Sequence, residues 1–336
     1  MKTQSRKAMD AGFYFSSESE ADRYALFRQV KFNGQPIDSQ NPLQVTNTVD
    51  LIVPDGFRMI VVPDSHGTPH YGVLRGMGMF AERYRPHMMK HIGDWSNLPF
   101  MSRFPSNPVN GPAYSPQDEM SHTERHLRLI MSWAYHTIAE AGNHDDLPLR
   151  FVQNQAPLLG RYLNAKTRNP LLDLVTNLMN FTLKDPITFV WGRGQRGGRE
   201  GGTRFAAEVP GGELLATHGS AVDNVPARSS YKEWMKRFIS VIMGHVHRAG
   251  DWGYETVLGV TFHGLEIGSI VDWDSSDMEY SPDHNWVHAF GVIEKHNGVI
   301  FRKVVPILTG VDEAGRQYEY FIWRDQQNNT VVFPCY

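Results

Sequence analysis

Residues 137–145 read Thr-Ile-Ala-Glu-Ala-Gly-Asn-His-Asp, and the rest of the chain is organised around them. A run of small and apolar residues stops at Gly142, where the backbone is free to turn sharply. An amide, an imidazole and a carboxylate then follow side by side in Asn143, His144 and Asp145. The pattern predicts a short buried strand with polar side chains at its carboxyl end, where open α/β sheets bind ligands. On its own the tetrapeptide is ordinary turn chemistry. Its weight comes from four similar stretches elsewhere.

Upstream, Phe57 opens the continuous apolar run RMIVVPDSHG, which ends in Asp64, Ser65, His66 and Gly67. Such a run is expected of a parallel strand buried on both faces. Met88 to Ile92 is a second short strand, stopping at Gly93-Asp94. Downstream, Glu213 to Thr217 ends at His218-Gly219, and Ile239 to Met243 ends at Gly244-His245-Val246-His247. Helices are expected over Tyr71 to Tyr84, His122 to Tyr135 and Tyr231 to Phe238, with a mostly helical pattern from Leu147 to Phe181. The alternation of strand and helix implies parallel pairing with right-handed crossovers. Ile187 to Trp191 and Thr203 to Glu208 are expected strands, and from Thr256 onward the alternation predicts antiparallel β structure. Residues 1–56 are expected to be an appendage, with a short helix within Ser17 to Phe32, a connector and one extra strand at Val49 to Val53. Residues 97–121 are expected to be a long loop.

The bulk properties set limits. The chain has 336 residues, 41% hydrophobic and 21% charged, with a formal net charge of -3. That balance gives no overall attraction to nucleic acid or anionic membrane. A single cysteine, Cys335, excludes a disulfide framework and a thiolate metal cage, which fits a reducing cytoplasm. The first residues lack the apolar core of a signal peptide, and no stretch is long and apolar enough to span a bilayer.

Together the five strand ends offer the carboxylates of Asp64 and Asp94, the amide of Asn143 and the imidazoles of His66, His144, His218, His245 and His247. This mixture suits Mn, Fe, Zn, Ni or Co better than Ca or Mg, which prefer oxygen shells. Residues i and i+2 of an extended chain point the same way, so Asp64 with His66, and His245 with His247, can serve one cleft.

At these residues the chain resembles the calcineurin-like metallophosphoesterases, phage and bacterial members included. Their motifs run Asp-x-His, Gly-Asp, Gly-Asn-His-Asp/Glu, His and Gly-His-x-His. The resemblance spans about residues 57–308 and implies an α/β fold of four α/β/β/α layers, leaving 309–336 as a C-terminal β extension packed on the core. It implies two divalent ions, manganese before the others. Asp64, His66 and His247 would hold one, Asn143, His218 and His245 the other, and Asp94 would bridge them. His144 would face the substrate as general acid. Two such ions would share and activate a water that attacks phosphorus in line.

One departure stands out. The family often carries an acid three residues after the Gly-Asp aspartate, where it orients the catalytic histidine; here that position is Asn97. An amide oxygen can accept an imidazole N–H but does not stabilise imidazolium as a carboxylate does. Either Asp145 substitutes, or the general acid is weaker. The Gly-Asp-x-x-Asp-Arg-Gly signature of protein Ser/Thr phosphatases is absent.

The stretch WGRGQRGGREGGTR carries Arg193, Arg196, Arg199 and Arg204 just upstream of a ligand-bearing strand. It reads either as a solvated hairpin tip or as a phosphate clamp. The expected substrate is a phosphodiester, in a nucleotide or nucleic acid. The alternatives are a phosphomonoesterase and a non-catalytic protein that keeps the metal fold for binding.

Overall fold

The computed structural model describes residues 18–40, 42–98, 115–147, 179–191, 202–206, 212–257, 259–275, 285–324 and 330–336. In chain order the described elements begin with α1 (Glu20–Phe27), β1 (Lys31–Phe32), β2 (Gln35–Pro36), β3 (Gln44–Thr46), β4 (Val49–Ile52) and β5 (Arg58–Val62). Next come α2 (Tyr71–Tyr84), β6 (Met88–His91), α3 (Pro116–Met131), β7 (His136–Glu140), β8 (Ile187–Val190), β9 (Thr203–Phe205) and β10 (Leu214–Thr217). The chain continues through α4 (Arg228–Arg237), β11 (Ser240–Met243), β12 (Ala249–Glu255), β13 (Thr261–Ile267), β14 (Ala289–His296) and β15 (Val299–Pro306). It closes with β16 (Leu308–Val311), β17 (Gln317–Arg324) and β18 (Thr330–Pro334).

The fold is mixed α/β, with several sheets and few helices. A seven-stranded sheet runs β15-β14-β5-β6-β7-β8-β3 and an eight-stranded sheet runs β12-β13-β11-β10-β9-β4-β1-β2. Within the first, β5, β6, β7 and β8 are mutually parallel; within the second, β10 and β11 are parallel. Alternation within β5 shows why its run is apolar throughout. Met59 and Val61 join a core that also takes Val49, Leu51, Leu214, Ala216 and Ile242 of the eight-stranded sheet. Ile60 and Val62 face the other way, into a cluster with Val73, Leu74, Met77, Phe80, Ala81 and Tyr84 of α2. A strand covered on both faces has no position for a solvated side chain. On the far face of the eight-stranded sheet, Trp234 of α4 packs with Val241 and Met243.

Helix α2 has the boundaries its periodicity predicts, with Arg85 closing it in the left-handed region at φ 53°. Helix α3 begins earlier than expected. Ser115 caps it by accepting from the Asp118 amide, and Pro116 enters at the first helical position, where its missing N–H costs nothing. The stretch expected as an appendage supplies strands to both sheets: β1 and β4 pair in the eight-stranded sheet, and β3 pairs with β8. Of these only β4 was expected, within Val49 to Val53; β1, β2 and β3, at two or three residues each, are too short to show periodicity. The third sheet, β16-β17-β18, lays Phe321, Trp323 and Phe333 on the α2 cluster. The helical pattern expected from Leu147 to Phe181 falls mostly on 148–178, outside the described residues. Among the described residues no helix is long and apolar enough to cross a membrane.

Candidate metal centre

The carboxyl ends of β5, β6, β7, β10 and β11 meet where the two sheets face each other. Three groups of side chains there bring ligand atoms within 4.8 Å of one another: Asp64, His66 and His247; Asp94, His218 and His245; and His66, Asp94 and His144. In the first group Nε2 of His247 lies 3.0 Å from Nε2 of His66 and 3.1 Å from Oδ2 of Asp64. In the second, Nε2 of His218 lies 3.1 Å from Nδ1 of His245, 3.3 Å from Oδ2 of Asp94 and 3.0 Å from Oδ1 of Asn143. Oδ2 of Asp94 is also 3.8 Å from Nε2 of His66, so one oxygen stands between the groups.

These spacings fit a metal. Two ligand atoms each about 2.1 Å from a common ion are about 3.0 Å apart at a right angle and about 3.4 Å apart at the tetrahedral angle. Burial, then the His144 ring, push His66 well below its ordinary pKa against the pull of Asp94. Burial alone would raise the Asp94 carboxyl, but His218, His144 and His66 outweigh it and hold it well below the carboxylate norm. Oδ1 of Asp64 is buried with no hydrogen-bond partner among the described residues.

The backbone is bent to make this convergence. His66, Asp94, His245 and His247 all take positive φ, at 47°, 46°, 71° and 55°. His245 and His247 were expected to serve one cleft by way of an extended chain; both reach the cluster, but on left-handed backbone. The Val246 amide turns back to the Gly244 carbonyl at 2.9 Å, and the two imidazoles serve different groups. Glycine is required where loops close on the ligands: a Cβ on Gly142 would sit on Oδ1 of Asp94, and one on Gly244 would run into Oδ1 of Asp64.

His144 is half-buried beside the centre, its ring centroid 4.6 Å from that of His66. Its Nδ1 meets the main-chain carbonyl of Asn97 at 2.8 Å, and its amide donates to Oδ1 of Asp94 at 2.8 Å. The Asn97 amide oxygen was expected to take the His144 ring; instead it faces Nδ1 of His66 at 3.3 Å. Asp145 accepts from the amides of Gly142 (2.8 Å) and Ser96 (2.9 Å) and from the Ser96 hydroxyl (2.7 Å), tying the two ligand loops together. Burial and the nearby Asp94 push its carboxyl upward, opposed by those hydrogen bonds. Arg204 is exposed on β9, between inward-facing Thr203 and Phe205. Arg193, Arg196 and Arg199 lie outside the described residues.

Sequence reasoning missed the groups that support the candidate ligands. Glu119 of α3 accepts the Asn97 amide at 2.6 Å. His91 holds the Ser65 hydroxyl at 3.1 Å between two ligands. Lys90 and Glu140 form a buried ion pair of 2.7 Å. The signal for that pair was present, since a charge inside an otherwise apolar strand needs a buried partner.

No family model matches the chain. It is 25% identical over 247 residues to the Gene 54 protein of Mycobacterium phage D29, a match covering 70% of this chain and 88% of that protein. It is 24% identical over 236 residues to the Gene 54 protein of Mycobacterium phage L5, covering 67% and 84%. Among solved structures it is similar to Vps29 of Chaetomium thermophilum, with a TM-score of 0.39 and 11% identity over 84% of this chain and 100% of that one.

Proposed function

We propose that this protein is a dinuclear-metal phosphoesterase of the calcineurin-like kind, built as a four-layer α/β/β/α sandwich and acting in the cytoplasm on a phosphodiester, in a nucleotide or nucleic acid. The observation that carries the reading is the sharing of Asp94 by two ligand groups drawn from both sheets. Asp64, His66 and His247 would hold one ion, Asn143, His218 and His245 the other, with Asp94 between them. Manganese is the first candidate, followed by Fe, Zn, Ni and Co. When bound, a pair of divalent ions supplies Lewis acidity toward phosphoryl oxygens and an activated water.

The chain's own residues do the rest. The donor set carries two carboxylates, so the loaded centre is net positive and attracts phosphate. His144 stands at the mouth with Nδ1 committed to a carbonyl, which leaves Nε2 as the proton-carrying atom toward a leaving oxygen. The Asn97 carbonyl accepts the same N–H whether the ring is neutral or charged, so the ring keeps its orientation through proton transfer. The four arginines of 193–204 are proposed to grip the substrate backbone.

The test compares hydrolysis of a bis-aryl and a mono-aryl phosphate with added Mn²⁺ and with chelator. The reading expects metal-dependent turnover that favours the diester and disappears on chelation. Preference for the monoester would make the protein a phosphomonoesterase, and no turnover of either would leave a binding protein.

A further inference from the structure

Behind the ligands, a charged staple crosses between the two sheets. Lys90 of β6 and Glu140 of β7 are 0% and 2% exposed. Oε2 of Glu140 accepts from Nζ of Lys90 at 2.7 Å, and Nζ also donates to Oγ1 of Thr203 at 3.1 Å. Oε1 of Glu140 accepts from the hydroxyl of Thr217 and from the main-chain amide of His218, both at 2.9 Å. The main-chain carbonyl of Glu140 accepts from the indole of Trp95 at 3.0 Å. One residue thus touches three loops that carry candidate ligands: its own, leading to Asn143; the one after Asp94; and the one at His218.

Stability does not explain this arrangement. Desolvating both charges offsets most of their attraction, and apolar residues of similar volume often serve a core as well or better. Burial lowers the Lys90 pKa, with Glu140 opposing. What the pair supplies that an apolar pair cannot is an acceptor at one fixed place for the His218 amide. His218 belongs to the eight-stranded sheet and Asp94 and Asn143 to the seven-stranded one, so their mutual placement depends on how the sheets sit at this point.

We propose that Glu140, held by Lys90, is a positioning residue that sets His218 in register with Asp94 and Asn143 and thereby builds the second metal subsite. This rests on the metal-centre reading above. Groups outside the ligand shell that orient ligands typically contribute 10–100-fold in metal affinity.

The test uses two full-length double variants that differ almost only in polar atoms. Lys90→Met with Glu140→Gln keeps a neutral acceptor for the His218 amide; Lys90→Met with Glu140→Met removes it. Stripped protein is titrated with Mn²⁺ by calorimetry, with His218→Ala and His247→Ala marking which affinity belongs to which subsite. The wild type and the Gln variant are expected to bind two ions alike. The Met variant is expected to fold, to bind the His247 ion as the wild type does, and to bind the His218 ion at least tenfold more weakly. Wild-type binding of both ions by the Met variant overturns the proposal, as does equal weakening of both. Loss of the His218 ion in the Gln variant overturns it too. Failure of the Met variant alone to fold overturns it as well, since the acceptor would then serve the whole fold. These outcomes leave the metal centre standing; a wild type that takes up no divalent ion overturns both readings.

Discussion

The main-chain carbonyl of Asn97 stands 2.8 Å from Nδ1 of His144, while the side chain of the same asparagine faces His66 at 3.3 Å. The position where related motifs carry an acid is therefore split between two jobs. The backbone orients the half-buried His144 ring, and the side-chain amide faces a candidate ligand.

Replacing His144 by alanine removes the proton carrier without touching a proposed ligand. Turnover should fall about 10²–10⁴-fold, the usual worth of a general acid. Metal content by elemental analysis should stay at the wild-type value. Loss of metal instead would make His144 a ligand.

Asn97→Ala should behave differently, because the carbonyl that holds His144 remains. The drop in turnover at saturating Mn²⁺ should be less than about tenfold. Affinity for the ion at Asp64, His66 and His247 should weaken about 10-fold or more, as for other residues that orient a ligand. Calorimetric titration beside steady-state kinetics separates the two effects.

Asp145→Asn should cost stability before chemistry. One carboxamide oxygen cannot serve the donors of Gly142 and Ser96 that the carboxylate accepts. Leaving buried donors without their acceptor predicts a loss of about 1–3 kcal/mol in urea unfolding. An unchanged unfolding midpoint would show that the two loops do not need this tie.

Gly142→Ala places a methyl group on Oδ1 of Asp94. The loop or the carboxylate must move, so Mn²⁺ binding should weaken more than tenfold while the circular dichroism spectrum stays that of a folded protein. Normal metal uptake would show that the loop yields easily.

The pH dependence of stability follows from a buried histidine of α3 that is not among the candidate ligands. Burial pushes His126 down to about 3 from the ordinary 6.5. The folded state holds this ring neutral and the unfolded chain protonates it below 6.5, so stability is complete above 6.5 and is lost as pH falls toward 3. Between pH 7 and pH 5 the loss from this one group is about 2 kcal/mol. Urea unfolding of His126→Phe should show a pH slope shallower by that amount; an identical slope would mean that the ring is solvated when folded.

Much of the architecture that carries the site was legible in the sequence. Strands β5, β6, β7, β10 and β11 announce themselves as short, mostly apolar runs that stop at a polar cluster, because strands covered on both faces favour apolar residues and take a polar one only with a buried partner. The boundaries of α2 follow from its periodicity. Less visible was how the ligands turn inward. His245 and His247 reach different ligand groups on left-handed backbone, and no side-chain pattern encodes that. Lys90 and Glu140 were read as members of apolar runs, since their meaning lies in Thr203, Thr217 and His218, distant in sequence. Ser115 and Pro116 mark the start of α3 by capping chemistry within a stretch whose composition reads as loop.

The left-handed backbone at His66, Asp94, His245 and His247 has a consequence for how the molecule can change. Each such residue sits about 1–2 kcal/mol above its relaxed conformation, so glycine at any of the four would ease the chain while deleting a proposed metal donor. Selection for hardiness alone would thus erode this centre one position at a time. A descendant that had lost its chemistry is expected to be sturdier than its parent and to carry glycines where these four side chains stand.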